Sequence, residues 1–216
     1  MASEQHIKEA MALTAGMLTM IDDAIGEILQ TLRDSGLEED TIVIFNSDHG
    51  DYMGAFNLLL KGPLPHHSVN RVPFIWAEPG QAKGRVESQL ATAVDIAPSI
   101  LERCGVLPFF GMQGQSFLSQ TNQPRQRVLI EHEENKRYPG FERRPIIRNL
   151  VTETHRMTIY KGLEFGEIYD LAADPQETFN LWNEPCCVEL KHSLMTEMSQ
   201  AMLEAIEMGP WPERVA

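Results

Sequence analysis

The stretch Thr-Ile-Val-Ile-Phe-Asn-Ser-Asp-His-Gly-Asp, residues Thr41 to Asp51, decides the fold. Its first half is a short apolar run rich in β-branched residues. Small and polar residues follow this run and end it. This pattern predicts a buried strand over Thr41–Phe45. The strand would deliver Asp48 and His49 to its carboxyl end, and in open α/β sheets ligands bind at that edge.

Asp48 and His49 offer a carboxylate oxygen and an imidazole nitrogen, and both atoms suit a divalent cation. Lys61 follows a little further along the chain, and its ammonium group suits an anion held by that cation. Gly62 and Pro63, directly after it, favour a fixed turn. The pattern predicts a metal-and-anion site, with two plainer alternatives left open: a turn-forming or capping Asp48, and an ordinary exposed lysine at position 61.

The strongest predicted helix precedes this strand and runs from Met1 to about Ser35, with Gly36 as its stop. Its apolar stripe consists of Leu13, Met17, Ile21, Ile25, Ile28 and Leu32. Asp22 and Asp23 lie next to each other in this helix. Adjacent helical side chains diverge by about 100°, so the pair belongs to a solvated polar face rather than to one ion site.

The remaining pattern predicts further α/β structure and then a smaller lobe. We expect a second strand over Val72–Ala77 and a helix capped by Asp95 that ends near Arg103. Beyond these, the sequence predicts strands over Arg127–His132, Ile147–Glu153 and Met157–Tyr160, a hairpin turn at Thr154–Arg156, and a final helix over Val188–Met208.

The predicted fold class is therefore α/β: part of a doubly wound mixed sheet with flanking helices, followed by a smaller C-terminal lobe of antiparallel strands and a helix. The predicted domain limits are an α/β core over residues 1–110, a connection over 111–126, and a small α+β subdomain over 127–216.

The order of several blocks resembles the C-terminal half of a sulfatase, in the alkaline-phosphatase-like superfamily. These blocks are Ile21-Asp22-Asp23-Ala24-Ile25-Gly26, Ser47-Asp48-His49-Gly50-Asp51, Lys61-Gly62-Pro63, Arg71-Val72-Pro73-Phe74-Ile75, Val94 to Leu101, Ile168-Tyr169-Asp170-Leu171, Asp174-Pro175 and Asn180-Leu181. The resemblance implies that Asp48 and His49 bind a divalent cation and that Lys61 contacts the sulfate group. The cation it implies is calcium, with magnesium and manganese as alternatives.

One part of the family pattern is missing. The resemblance implies a nucleophilic formylglycine made from the first residue of a Cys/Ser-x-Pro-x-Arg motif, and these 216 residues contain no such motif. The nucleophile is therefore absent from this chain. We expect a fragment of a sulfatase-like hydrolase of sulfuric esters that is inactive alone and that associates with itself or with the missing N-terminal half.

Two other functions remain open. One is hydrolysis of phosphonate or phosphate esters by another enzyme of the same superfamily; a two-zinc phosphatase would need further histidines, and the candidates, His132 and His155, lie in the predicted small lobe. The other is a non-catalytic interaction module. For a parent enzyme, the resemblance implies a sulfate ester of a small molecule or a sulfated sugar as substrate.

His66 and His67 stand where many sulfatases carry acidic residues, and we expect them to be solvated loop residues.

The composition limits which partners and which cellular environment we expect for the chain. A net charge of -13 disfavours nucleic acid and anionic membranes as partners, and three cysteines do not form a disulfide framework. The sequence has no apolar run long enough to span a bilayer and no signal peptide at Met1, so we expect a soluble chain, cytoplasmic or periplasmic.

Overall fold

A computed structural model describes residues 3–81, 84–119 and 124–206. By packing, the chain divides into two compact units, Met1–Val86 and Glu87–Ala216. The structure is mixed α/β, with a two-stranded and a four-stranded antiparallel sheet. It confirms the predicted α/β class with a C-terminal lobe of antiparallel strands, while the domain limits at residues 110 and 126 stay predictions.

The first unit is built from one long helix and a two-stranded sheet. Its helices and strands are α1 (Glu4–Asp34), β1 (Val43–Asn46), α2 (His67–Asn70) and β2 (Phe74–Ala77). The Ser3 hydroxyl caps α1 by accepting a hydrogen bond from the His6 backbone N–H, and Gly36 ends the helical segment with φ +69°. Strands β1 and β2 pair antiparallel, with Val43 opposite Ala77.

The apolar surface of this unit is open to solvent. Helix α1 has no buried residue, and Leu13 of its predicted stripe is 72% exposed. Phe45 of β1 and Ile75 of β2 are also exposed, so the prediction of a buried strand over Thr41–Phe45 is wrong. A two-stranded sheet packed only from one side cannot bury both of its faces.

The second unit is a four-stranded antiparallel sheet with a long helix on one face. It contains α3 (Ile96–Arg103), β3 (Arg127–Glu133), β4 (Ile146–Thr152), β5 (His155–Tyr160), β6 (Gly166–Asp170) and α4 (Val188–Glu204), with the strands in the order β3-β4-β5-β6. The core forms where α4 packs on the sheet, and it consists of Leu150, Met157, Ile168, Leu194, Met198 and Ala201.

Two predicted boundaries in this unit need correction, and one strand is missing from the prediction. The hairpin turn does not occupy Thr154–Arg156: His155 and Arg156 already belong to β5, because Thr152 closes the turn by accepting from the His155 N–H through its hydroxyl. Strand β6 was not predicted, since its glycine and charged residues hide the alternating pattern. Helix α4 ends at Glu204, and the predicted end at Met208 lies outside the described residues.

The other face of the sheet carries a buried polar network centred on Arg156. Its guanidinium donates to Glu177 at 2.6 and 2.8 Å, to Thr158 at 2.6 Å and to Glu167 at 3.1 Å. Burial alone would lower the pKa of Arg156, but the carboxylates of Glu177 and Glu167 raise it above its ordinary value. Glu177 comes from the Asp174-Pro175 motif region, so this part of the family resemblance has a structural role.

Asp95 has a different role from the predicted one. Its side chain does not cap α3; it accepts from the Thr92 and Gln115 backbone N–H groups, both at 2.8 Å, and from the Arg125 guanidinium at 2.5 Å. The carboxylate is buried, and these three donors satisfy it. Asp95 therefore ties the segment before β3 to the start of α3.

Within the described parts of the chain, no helix is both long and apolar enough to cross a membrane. All three cysteines are free thiols, as the sequence predicts; the sulfur atoms of Cys186 and Cys187 lie 3.6 Å apart.

Met198→Ala tests the importance of the α4 packing. Met198 is 1% exposed inside the core, and its truncation leaves a cavity, so we expect a loss of about 2–5 kcal/mol in the free energy of unfolding. The control is Met202→Ala in the same helix, because Met202 is 40% exposed and should change stability by under about 1 kcal/mol. Urea denaturation measures both, and equal effects would contradict this description of the core.

Candidate metal and anion site

The turn that follows β1 presents Asp48 and His49 next to each other. Asp48 Oδ1 accepts from the backbone N–H of His49 at 2.9 Å, and the Ser47 hydroxyl donates to the His49 carbonyl at 3.1 Å. The N–H of His49 and, to a smaller extent, the charge of Lys61 hold the pKa of Asp48 below its ordinary value. The Asp48 side chain is 83% exposed, so a charged carboxylate is available to a ligand.

Gly50 holds this turn against α2. Its N–H donates to the Val69 carbonyl at 2.8 Å, and a Cβ atom at position 50 would lie 1.9 Å from the Ser68 carbonyl oxygen. Only glycine permits so close an approach between two backbone segments. The Gly50 carbonyl also accepts a hydrogen bond from His49 Nδ1 at 2.9 Å, which orients the imidazole ring.

Tyr52 anchors the loop that brings Lys61 back to the strand end. Tyr52 is 1% exposed; its hydroxyl accepts from the Leu64 N–H at 3.0 Å and donates to the Leu64 carbonyl at 2.9 Å. Between these anchors the backbone is strained, with positive φ angles at Met53, Phe56, Asn57 and Leu60. Such strain persists only where surrounding contacts determine the backbone conformation, and it clusters at functional sites.

The loop places Lys61 directly on His49. Lys61 Nζ lies 2.5 Å from His49 Nε2, and Asp48 Oδ2 lies 3.3 Å from the same nitrogen. The structure therefore brings together all three residues that the sequence selected for the site. Asp51, in contrast, uses its carboxylate to accept from the Met53 N–H at 2.8 Å, so it supports the loop.

The donor atoms fit a divalent cation. A carbonyl oxygen only accepts, so His49 Nδ1 carries the ring proton and Nε2 presents its lone pair. Asp48 Oδ2 is also an acceptor, and the two acceptor atoms lie side by side at 3.3 Å. A metal ion placed between these two acceptor atoms would bind both.

The two other loop histidines differ from expectation. His66 is 5% exposed. Its Nδ1 caps α2 by accepting from the Ser68 N–H at 3.2 Å, and the same nitrogen lies 2.7 Å from the Ser68 hydroxyl. Its ring packs against Phe56 at 5.1 Å and against His67 at 4.0 Å between centroids. The prediction of two solvated histidines is wrong, because the turn at Pro65 directs His66 inward to cap α2.

The histidines considered for a second metal lie elsewhere in the chain. His132 belongs to β3 and His155 to β5, both in the second unit, as the sequence predicts. Asp22 and Asp23 lie on an exposed face of α1, as predicted. Sequence reasoning missed Tyr52 and its contact with Leu64; the signal was weak, since a single aromatic residue inside a long loop has no periodicity to reveal its burial.

A carboxylate, an imidazole and an ammonium group thus gather at the end of β1, in Asp48, His49 and Lys61. Two family models match the chain: the sulfatase model matches residues 2–106, and the model of the N-sulphoglucosamine sulphohydrolase C-terminal region matches residues 62–204. The chain belongs to the sulfatase family, whose members are hydrolases of the alkaline-phosphatase-like superfamily.

Individual relatives agree with this assignment. The chain is 28% identical to the multifunctional alkaline phosphatase superfamily protein PehA of Trinickia caryophylli, over 87% of this chain and 39% of that protein. It is 30% identical to an arylsulfatase of Clostridium perfringens strain 13, over 84% of this chain and 37% of that protein. The chain thus spans less than half the length of these curated relatives.

The fold also matches a solved structure. The phosphonate monoester hydrolase SpPMH of Silicibacter pomeroyi superposes with a TM-score of 0.85 at 19% identity, over 95% of this chain and 43% of that chain. At this identity the comparison establishes the fold.

Gly50→Ala tests the close approach that orients the site. The added Cβ would overlap the Ser68 carbonyl, so we expect a loss of about 1–3 kcal/mol in the free energy of unfolding. The control is Gly26→Ala in α1, where no atom lies within 4 Å of the added Cβ and alanine favours the helix by about 1 kcal/mol. The two substitutions should shift the urea midpoint in opposite directions. A shift in the same direction would contradict the structural requirement for glycine at position 50.

Proposed function

We propose that this chain contributes cation-binding and sulfate-binding residues to a hydrolase of sulfuric esters. The observation that carries the proposal is the convergence of Asp48 Oδ2 and Lys61 Nζ on His49 Nε2, at 3.3 and 2.5 Å. Membership of the sulfatase family supports the same reading. In this proposal Asp48 and His49 bind the cation, and Lys61 binds the sulfate group.

Each of the three residues has a distinct chemical task. When bound, a divalent cation supplies Lewis-acid polarisation of an ester oxygen. His49 presents Nε2 because the Gly50 carbonyl holds its Nδ1 proton. Asp48 supplies negative charge toward the cation, and Lys61 neutralises charge that develops on the sulfuryl oxygens and on the leaving oxygen.

The ligand atoms of Asp48 and His49, an oxygen and a nitrogen, bear on which cation binds. The resemblance implies calcium, but calcium prefers oxygen ligands, whereas an imidazole nitrogen suits manganese and other transition metals better. Magnesium is a third candidate. Titration of one protein sample with all three ions ranks them directly.

The substrate class that we propose is a sulfate ester of a small molecule or of a sugar. The names of the matched arylsulfatase and of the N-sulphoglucosamine sulphohydrolase region support this class. A second candidate is hydrolysis of phosphate or phosphonate esters, because the relative PehA is named a multifunctional protein of the alkaline phosphatase superfamily. A non-catalytic module is the third candidate, and it would bind no cation at Asp48 and His49.

We expect the purified 216-residue chain to show no turnover of 4-nitrophenyl sulfate or 4-nitrophenyl phosphate. The chain has no Cys/Ser-x-Pro-x-Arg motif, so the formylglycine nucleophile that the family uses cannot form from it. Release of 4-nitrophenol above the buffer rate, measured in the presence of each candidate cation, would contradict this prediction.

Asp48→Asn and His49→Ala should abolish measurable binding of Mn²⁺ and Ca²⁺ by the chain. We expect the wild type to bind with a dissociation constant on the order of 10⁻³ M, because few ligands come from these two residues. Isothermal titration calorimetry measures the binding at a pH where Asp48 is ionised, and its lowered pKa keeps it so down to acidic pH. The control is Asp23→Asn in α1. Unchanged binding in both site variants would contradict the proposed cation site.

We also propose that the exposed apolar face of the first unit takes part in association. The 31 residues of α1 include no buried side chain, and residues 10–21 contain no charged residue. Exposed apolar patches of this kind mark contact surfaces in soluble proteins. In the isolated chain a second copy is the available partner, and the open edges of the β1–β2 sheet favour it further.

Leu13→Glu with Met17→Glu should shift the isolated chain from dimers or larger species toward monomer. Both side chains are more than half exposed on the predicted stripe, so charges there oppose apolar pairing. The control is Ala12→Glu, on the same face of α1 as Asp23. Light scattering after size-exclusion chromatography measures the mass, and a wild-type monomer at high concentration would contradict the proposed association.

A further inference from the structure

The contact between Lys61 and His49 uses an atom that the cation also needs. His49 Nδ1 donates to the Gly50 carbonyl at 2.9 Å, so Nε2 is the acceptor, and the Lys61 ammonium donates to it at 2.5 Å. Asp48 Oδ2 lies 3.3 Å from the same nitrogen. The ammonium group therefore occupies the acceptor atom of His49 that a cation would use.

We propose that Lys61 is a latch that occupies the cation's place on His49 Nε2 and is released toward sulfate when the cation binds. The proposal rests on the proposed function, in which His49 is a cation ligand. It adds a coupling: each cation bound frees one ammonium group for the anion.

The geometry of the loop allows this exchange without backbone movement. Pro63 is buried, and the Tyr52 hydroxyl holds both backbone groups of Leu64, so the chain on the carboxyl side of Lys61 is fixed. Lys61 itself is exposed. Its ammonium group sits on a flexible four-carbon stem, so rotation of the side chain alone moves it off His49.

The coupling has a definite sign. Lys61 and the cation compete for one lone pair and repel each other, so Lys61 weakens cation binding. Sulfate draws the ammonium group away from His49 and so removes this competition. By linkage, the cation must then strengthen sulfate binding by the same factor by which sulfate strengthens cation binding. A lysine that stood apart from the cation ligands would bind sulfate without competing for His49.

Lys61→Met tests the latch, since methionine keeps the length of the stem and removes the charge. Isothermal titration calorimetry with MnCl₂ should show cation affinity about tenfold higher in this variant, the effect of removing one charge-assisted hydrogen bond from the competing state. The control is Lys8→Met in α1, where the lysine pairs with Glu4, and it should leave the affinity unchanged.

A second titration measures the coupling with sodium sulfate, with and without saturating Mn²⁺. In the wild type, Mn²⁺ should raise sulfate affinity and sulfate should raise Mn²⁺ affinity by an equal factor. In Lys61→Met, sulfate affinity should be low in both conditions. With Mg²⁺ in place of Mn²⁺, the NMR signal of the Lys61 ε-CH₂ group should shift as the ion binds.

The outcomes separate the latch from the site on which it depends. Equal or weaker Mn²⁺ binding in Lys61→Met, alongside loss of binding in Asp48→Asn, would overturn the latch and leave the proposed cation site standing. Binding of Mn²⁺ that survives both Asp48→Asn and His49→Ala would overturn the proposed function. Wild-type binding that becomes about tenfold tighter in Lys61→Met and is lost in Asp48→Asn would support both.

Discussion

The approach of Gly50 to the Ser68 carbonyl is the constraint on which the site depends. It brings the turn after β1 onto α2, where the Gly50 N–H finds the Val69 carbonyl, and it leaves the Gly50 carbonyl free to hold His49 Nδ1. The ring orientation that follows sends Nε2 toward Asp48 and Lys61. A backbone contact without any charged atom thus decides where the charged groups of the site meet.

The loop that returns to this point stores strain and is anchored at its base. The positive φ of Leu60 is a conformation that a leucine rarely adopts, and the buried hydroxyl of Tyr52 bonded to Leu64 helps to hold it. An anchored loop with an exposed lysine side chain is the arrangement that the proposed exchange of Lys61 between His49 and sulfate requires.

The two units differ in how completely they bury their apolar residues. In the second unit, α4 covers one face of the sheet. On the other face, Arg156 donates hydrogen bonds to the buried polar side chains of Thr158 and Glu177. In the first unit, α1 has the periodicity of a helix that packs on a sheet, yet its stripe is exposed. Periodicity reports which face a helix would bury, and only the tertiary structure reports whether something covers that face.

The sequence by itself determined the class of the fold and most of its helices and strands, and it selected the three residues that we propose for the site. Local signals suffice for these: the 3.6-residue stripe of α1, the β-branched run of β1, and the order of Asp48, His49 and Lys61. Only the tertiary structure decided that His66 is buried, that Asp95 ties Thr92, Gln115 and Arg125 together, and that Lys61 contacts a proposed metal ligand. The physical reason is that burial and hydrogen-bond partners arise between residues distant in sequence, and no local pattern records which distant atoms will meet.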